Sequence, residues 1–411
     1  MLIRTKALKL FFFILFFLQA NKLILAQNTF SPYSLFGIGE IQSGEYGRNA
    51  GMAGVSIGFR STNFLNITNP AAISAIDSYT FVYDFAGSFK FSNFQSLGQS
   101  QSVSLANLGK LAMGFQASRN WAISFGLVPY SSVGYKIKSS QFIEGAYNVT
   151  EDAHYDGNGG INKLFFINSF RIFPKLYLGI NSSYMFGSIN KNMSVDNLIT
   201  ETKSTTRSIY FDFGLQYVNK FSENVDCVFG LIYGYRTPLI MQNSIIASFG
   251  TDTFPNNFEN SQTQYLPAFY GAGLTLTFNK KVTIAADYQF QQFSDINTNY
   301  SNVHFSDVHQ VKIGFEYLPA LRYLKNYFYG IHYQAGFVLS NSYLNINGSQ
   351  PVNYGLCMGL GLPLKRNAMI NLAVEYGKTG SLNYLQIEEN YTKLTLSISL
   401  TEAWFLKHKY D

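Results

Sequence analysis

From Val282 the chain reads Val-Thr-Ile-Ala-Ala-Asp-Tyr-Gln-Phe. Val282, Ile284, Ala286, Tyr288 and Phe290 share one face of an extended strand, and Thr283, Asp287 and Gln289 share the other, the period-two signature of a strand with two unlike sides. The pattern recurs. Val311, Ile313, Phe315 and Tyr317 oppose Lys312 and Glu316. Ile370, Leu372, Val374 and Tyr376 oppose Asn371 and Glu375, and Leu394, Leu396, Ile398 and Leu400 oppose Thr395, Ser397 and Ser399. Ile209, Phe211, Phe213, Leu215 and Tyr217 alternate with Tyr210, Asp212 and Gln216. Further strands are expected to begin near Thr80, Leu111, Trp121, Lys163, Leu176, Cys227, Ala268, Tyr327 and Tyr354.

Alternation alone also suits a soluble sandwich, so the character of the two faces decides. A sandwich has an aliphatic core face and a solvent face rich in Lys and Glu. Here the polar face is Ser, Thr, Asn, Gln and Gly with isolated charges, and the apolar face ends in Tyr or Phe. That suits a wet lumen inside and lipid outside. Strands of about nine to twelve residues have the length that a tilted strand needs to cross a bilayer. The expected fold class is all-β, a transmembrane antiparallel β-barrel. Twelve to sixteen strands can be drawn, and an even number near 14 closes a single-chain barrel. Residues 134–156 and 187–207 read as strands, external loops or both. Residues 240–264 and 294–306 read as long external loops.

Residues 27–78 break the rhythm. They are rich in Gly, Ser and Asn, with Gly-Ile-Gly at 37–39, a run from Arg48 to Gly54 and an Asn69-Pro70-Ala71 box. This segment carries too many apolar positions for a disordered tail. It is expected to fill the lumen as a hatch, with a periplasmic lead-in as the alternative. The resulting division is a signal peptide over 1–26, a hatch over 27–78, a barrel over 79–405 and a tail over 406–411.

The signal peptide rests on Arg4, Lys6 and Lys9 ahead of an apolar run from Leu10 to Leu18, too short to cross as a helix, with cleavage after Ala26 or Ala20. Export changes the charge reading. The net charge of +6 includes Arg4, Lys6, Lys9 and Lys22, so the mature chain sits near +2, which is no nucleic-acid footprint. Charged residues are 13% and aromatics 17% of the chain, with mean hydropathy +0.01, where a soluble domain carries about a quarter charged residues. Cys227 and Cys357 read as small apolar strand residues.

Candidate chemistry is sparse. His154, His304, His309, His332 and His408 show no metal-ligand spacing, and Gly157–Gly160 is followed by no Lys-Ser/Thr. No catalytic, cofactor or metal site is expected, and no enzyme activity. Asp212, Asp287, Lys312, Glu316, His332 and Glu375 fall on lumen faces, because charges are costly towards lipid. Their expected role is to form hydrogen-bond networks that hold the hatch.

The run from Arg48 to Gly58, followed by Asn66-Ile-Thr-Asn-Pro-Ala-Ala72, resembles the hatch of FadL-like outer-membrane transporters of hydrophobic compounds. The stretch from Val311 to Pro319, Gly359-Leu-Gly-Leu-Pro363 and Trp404-Phe405 looks similar to the same barrels. The resemblance implies a Gram-negative outer membrane, contact with its lipid, and passive uptake of a hydrophobic ligand such as a long-chain fatty acid. In such barrels the ligand passes the hatch and leaves by a gap in the wall. The same family includes PorV-type subunits of the type IX secretion system. The alternative function is therefore a barrel subunit with envelope protein partners, in type IX secretion, outer-membrane protein insertion or surface assembly. The Lys407–Asp411 tail departs from the family pattern of ending on an aromatic strand residue.

Overall fold

The computed structural model describes residues 29–404 apart from 43–45, 97, 143–149, 251, 255–259, 297, 299–301, 321–326, 365–367 and 383–386. The expected signal peptide and the C-terminal tail lie outside the described residues.

Fourteen antiparallel strands close a barrel. They are β1 (Thr80–Ser96), β2 (Gln99–Ser118), β3 (Trp121–Phe142), β4 (Thr150–Phe173), β5 (Leu176–Val195) and β6 (Leu198–Ser222). Next come β7 (Val225–Gly234 continued by Thr237–Phe249) and β8 (Asn260–Leu266 continued by Ala268–Phe278). The circuit ends with β9 (Val282–Gln292), β10 (Val308–Tyr317), β11 (His332–Asn341), β12 (Val352–Leu364), β13 (Ala368–Ser381) and β14 (Ile387–Ala403). β14 pairs with β1, from Thr80 opposite Ala403 to Gln95 opposite Glu388. The break in β8 falls at Pro267, which has no N–H to give a ladder.

The faces are inside-out relative to a soluble protein. Phe213, Leu231, Tyr233, Ile284, Ile313, Phe315, Leu356 and Leu372 are exposed, while Asp212, Gln216, Asp287, Lys312, Glu316, Asn371 and Ser397 are buried. A wall of exposed Leu, Ile and Phe with charges behind it is stable only against lipid. The protein lies in the outer membrane of a Gram-negative bacterium.

Turns of two or three residues at 119–120, 174–175, 223–224 and 279–281, with the 318–331 connection, join strands at one end, and the 196–197 turn with the longer connections 293–307 and 342–351 join them at the other. Short turns mark the periplasmic end. From there β4 and β6 run for 24 and 25 residues, whereas β10 and β11 have 10 each. Since about 9–11 residues cross the membrane, the wall from β3 to β8 stands tall on the extracellular side and the wall from β9 to β11 does not.

That height corrects the first of three expectations. Residues 240–264 are largely strand, with Asn260–Leu266 paired to Thr237–Asn243. Above the membrane the outward face meets water while Leu239 and Met241 pack inward, so the outward face no longer carries the apolar run that marks a lipid-facing strand. Residues 294–306 contain a short strand, Val303–Phe305, paired with Leu344–Ile346. No strand starts at Tyr327, where a 3-10 turn (Tyr327–Gly330) precedes β11.

The wall has one irregular seam. β2 and β3 pair only between Leu111–Ser118 and Trp121–Leu127, and among the described residues no ladder joins 99–110 to β3. There the N-terminal segment takes over. Glu40 and Ile41 pair with Ser132 and Ser131 of β3, Gln42 N–H donates to Tyr130 O at 2.9 Å, and Ser31 N–H donates to Gly134 O at 2.7 Å.

Candidate functional site

Polar groups converge in the lumen and on the segment from Thr29 to Asp77. Its lower part is three short pieces: a 3-10 turn Arg48–Met52, an irregular run through Asn66, and a 3-10 turn Pro70–Ala75. Proline at the first helical position and Asn69 as its cap define the last turn, since the Asn69 side chain accepts from Ala71 N–H at 3.1 Å. The Asn69 amide also donates to Ile57 O at 2.7 Å and to the wall carbonyls of Leu215 and Leu231 at 3.2 and 3.4 Å. One fully buried side chain thus ties the insert's own backbone to two adjacent strands.

Close approach explains why the wall here is glycine. A Cβ on Gly179 would stand 2.1 Å from Pro70 C, one on Gly214 2.1 Å from Asn69 Oδ1, and one on Gly230 2.0 Å from Ile57 O. Gly273, Gly314, Gly336 and Gly359 meet the insert between Gly51 and Gly58 at 2.5–2.8 Å in the same way. In register, Gly179 lies opposite Gly214, Gly230 opposite Gly273, and Gly314 opposite Gly336. The seven glycines form a belt on β5–β8 and β10–β12 against which backbone packs on backbone.

Charges fix the register of insert and wall. Glu316 receives a bidentate contact from Arg48, donation from Gln334 at 2.7 Å, and His332 Nδ1 at 3.3 Å. Asp287, opposite Lys312 on β10, accepts the backbone N–H groups of Ser56 and Ile57 at 2.5 and 2.8 Å. Asp84 and Lys110, both fully buried, pair at 2.5 Å, and the ammonium donates to Leu65 O at 3.0 Å. The buried Gln216 amide donates to Ile57 O and Phe59 O. Arrangements of this kind are unforgiving, because each buried charge is tolerated only while paired.

The extracellular half is covered differently. Tyr343 donates to Gly39 O at 2.6 Å, and Phe293, Ile296 and Val303 pack with Tyr33, Phe36 and Ile41 into an apolar lid of loops and N-terminal residues. The Tyr33 phenol donates to Ile387 O at 2.8 Å; burial first, then the carboxylates of Glu389 and Glu388, push its pKa upward, so it stays a neutral donor. Between lid and lower insert lies a cavity of about 420 Å³ that reaches the seam at Leu105 and at Val128–Tyr130. Lys90, Lys163, Lys312 and Lys393 line it together with Asp212, Glu375 and Glu389. Lys163 pairs with Asp212 at 3.0 Å, Lys90 with Glu389 at 2.6 Å, and Tyr391 donates to Glu375 at 2.8 Å.

The structure therefore brings Glu316 and His332 together below, and Asp287 beside Lys312. Asp212 and Glu375 lie in the cavity, away from the insert's lower part. Sequence reading missed Arg48, Lys163, Asp84 and Lys110 as partners, and missed the glycine belt. The glycines carried a signal only in hindsight, as inward positions of alternating strands. Among the described residues no group of His, Cys, Asp or Glu could hold a metal ion.

Comparison with known proteins decides between two readings of this barrel. The BamG family model matches residues 7–411. The chain belongs to the BamG family. No curated protein matches it. Among solved structures the chain is similar to the CymD monoaromatic hydrocarbon channel, at 14% identity and TM-score 0.56 over 91% of this chain and 100% of that one. A Pseudomonas aeruginosa FadL homologue matches at 10% identity and TM-score 0.56, covering 87% and 98%. The Pseudomonas putida toluene transporter TodX matches at 16% and 0.55, covering 89% and 98%. At these identities the likeness is one of fold.

The expectation of a FadL-type transporter is thereby corrected, because the family match over nearly the whole sequence is to BamG, a family of the BAM outer-membrane assembly complex. Passive uptake of hydrophobic compounds falls with it. The reason for the error is physical. Asn-Pro-Ala and the glycine-rich runs encode an insert packed flush on a barrel wall, which channels and assembly subunits can share. The seam in the wall is one of the two features that uptake requires. The cavity beside it is mixed, with Ile67, Leu105, Val128, Tyr210 and Phe269 next to the Lys163–Asp212 and Lys90–Glu389 pairs.

Proposed function

We propose that this BamG-family barrel is a structural subunit of the BAM outer-membrane assembly complex, and that its insert is a fixed plug and not a gate. The match to the BamG family over residues 7–411 carries the reading. The glycine belt, the buried ion pairs and the loop lid support it, since each favours a rigid, sealed barrel over an open path. The tall wall from β3 to β8 offers partners a surface clear of lipid, with Lys136, Lys138, Glu151, Asp152, Glu201 and Lys203 exposed on it. A stable protein interface takes about 800 Å² per partner, and a two-sided polar sheet can supply it. On this reading the cavity charges hold β1, β13 and β14 to the N-terminal segment and meet no cargo. Depletion of the chain in its host tests the proposal: folded outer-membrane proteins should fall together, with growth on hydrophobic carbon sources no more affected than growth on sugars. Normal outer-membrane protein levels after depletion would remove it.

A further inference from the structure

The outward wall is not uniformly convex. Across β6–β9 it carries a groove of about 470 Å³, within the range of small-molecule sites, about 300–1,000 Å³. Its floor is Ala272, which lies opposite Leu231 on β7 and Tyr288 on β9. Its walls are Phe213, Tyr233, Tyr270 and Phe290, with Phe213 and Tyr233 stacked at 6.5 Å and Tyr270 tilted against Tyr233 at 5.2 Å. A small residue ringed by large aromatics leaves a slot the width of one chain.

The height of the slot follows from strand geometry. At about 3.3 Å per residue and a tilt near 40–45°, each residue climbs roughly 2.4 Å. Leu231, six residues above the periplasmic start of β7, then sits about 15 Å up, midway through a hydrocarbon core of about 30 Å. Arg236 lies about 12 Å higher by the same spacing, at the outer headgroups. There β7 breaks, and residues 207–211 of β6 face the break, because the ladder runs from Asp212 opposite Gly234 straight to Thr206 opposite Met241. Arg207 and Arg236 are both exposed, and Arg236 lies over the Tyr265 ring at 4.1 Å from its centroid. Neither 207–211 nor 235–240 contains a carboxylate. Two guanidinium groups thus stand at headgroup level above an apolar slot, and guanidinium is the side chain suited to bidentate phosphate recognition.

We propose that this groove is a binding site for an anionic, phosphate-bearing lipid of the outer leaflet, its acyl chain against Ala272 and its phosphate against Arg207 and Arg236. The site is independent of the assembly role and does not rest on it.

The test uses the purified full barrel in phosphatidylcholine nanodiscs doped with a phosphatidic acid whose acyl chain carries a diazirine. After irradiation, mass spectrometry maps the labelled residues. Labelling should concentrate on Phe213, Tyr233, Tyr270 and Tyr288. Ala272→Trp, which fills the slot from the lipid side, should reduce it about tenfold, and Arg207→Gln with Arg236→Gln several-fold. Ala335→Trp, at an outward position three strands away, should leave it unchanged and controls for folding. Even labelling around the outward face, or labelling indifferent to Ala272→Trp, would overturn the site. Equal labelling by a diazirine phosphatidylcholine would overturn the phosphate recognition. Crosslinking of a photoreactive residue at position 272 to a protein in native membranes would assign the groove to a partner instead.

Discussion

Gly179→Ala asks whether the insert really presses on the wall. The added Cβ would lie 2.1 Å from Pro70 C and 2.2 Å from Ala71 N, where ordinary contact begins near 3.4 Å. The turn Pro70–Ala75 must therefore retreat by about 1.3 Å, the difference between those two distances. It has nowhere easy to go. Asn69 is hydrogen-bonded to the carbonyls of Leu215 and Leu231, and Ser169 donates to Ala71 O at 3.0 Å. Overpacking of this kind costs typically about 1–3 kcal/mol, and each strained hydrogen bond adds about 0.5–1.5 kcal/mol. We expect a loss on the order of 2–4 kcal/mol, read as a lowered urea midpoint for the barrel refolded in lipid vesicles. The same variant should expose the insert to limited proteolysis while the strands stay protected. A barrel as stable and as protease-resistant as the wild type would show that the insert stands off the wall, and the fixed-plug reading would lose its footing.

Glu316→Ala should destabilise the barrel by about 3–5 kcal/mol, because it leaves Arg48 buried and unpaired. Removing Arg48 as well should recover part of that loss in urea titrations, and strictly additive effects would mean that the pair does not hold the insert. Val374→Arg, six residues above the periplasmic start of β13, places a cation on the lipid face near mid-membrane, at a cost of about 2–4 kcal/mol; undiminished folding yield in vesicles would reverse the assigned faces. Deleting residues 29–75 should turn a closed barrel into one that conducts in planar bilayers, and a deletion barrel that stays silent would place the seal in the extracellular loops.

Where the membrane imposes its period, the sequence was transparent. Val282 to Phe290 and Val311 to Tyr317 alternate because one face meets lipid and the other a polar lumen, and both segments are barrel strands. Above the membrane the outward face is no longer apolar, so residues 237–249 and 260–266 lacked the lipid-facing mark although they are paired strands. Asp287 and Glu316 could be placed on inward faces by parity. Their partners Ser56, Ile57 and Arg48 lie more than 200 residues away, and only the folded chain brings them together. The glycine belt was hidden for a related reason. Gly179, Gly214, Gly230 and Gly273 are unremarked in their own strands and become a belt only through inter-strand register. The resemblance that misled on function was carried by Asn69, Pro70 and Ala71, residues that report how an insert seats in a barrel and not what the barrel does.

Affinity purification of the chain, tagged at its chromosomal locus and extracted in mild detergent, tests the central claim most directly. Membership of the BAM complex predicts that it elutes in near-stoichiometric company with the other subunits of the outer-membrane assembly machinery. Crosslinks should fall on the exposed wall of β3–β8. A chain that elutes alone, carrying a hydrophobic small molecule in its lumen, would contradict the account.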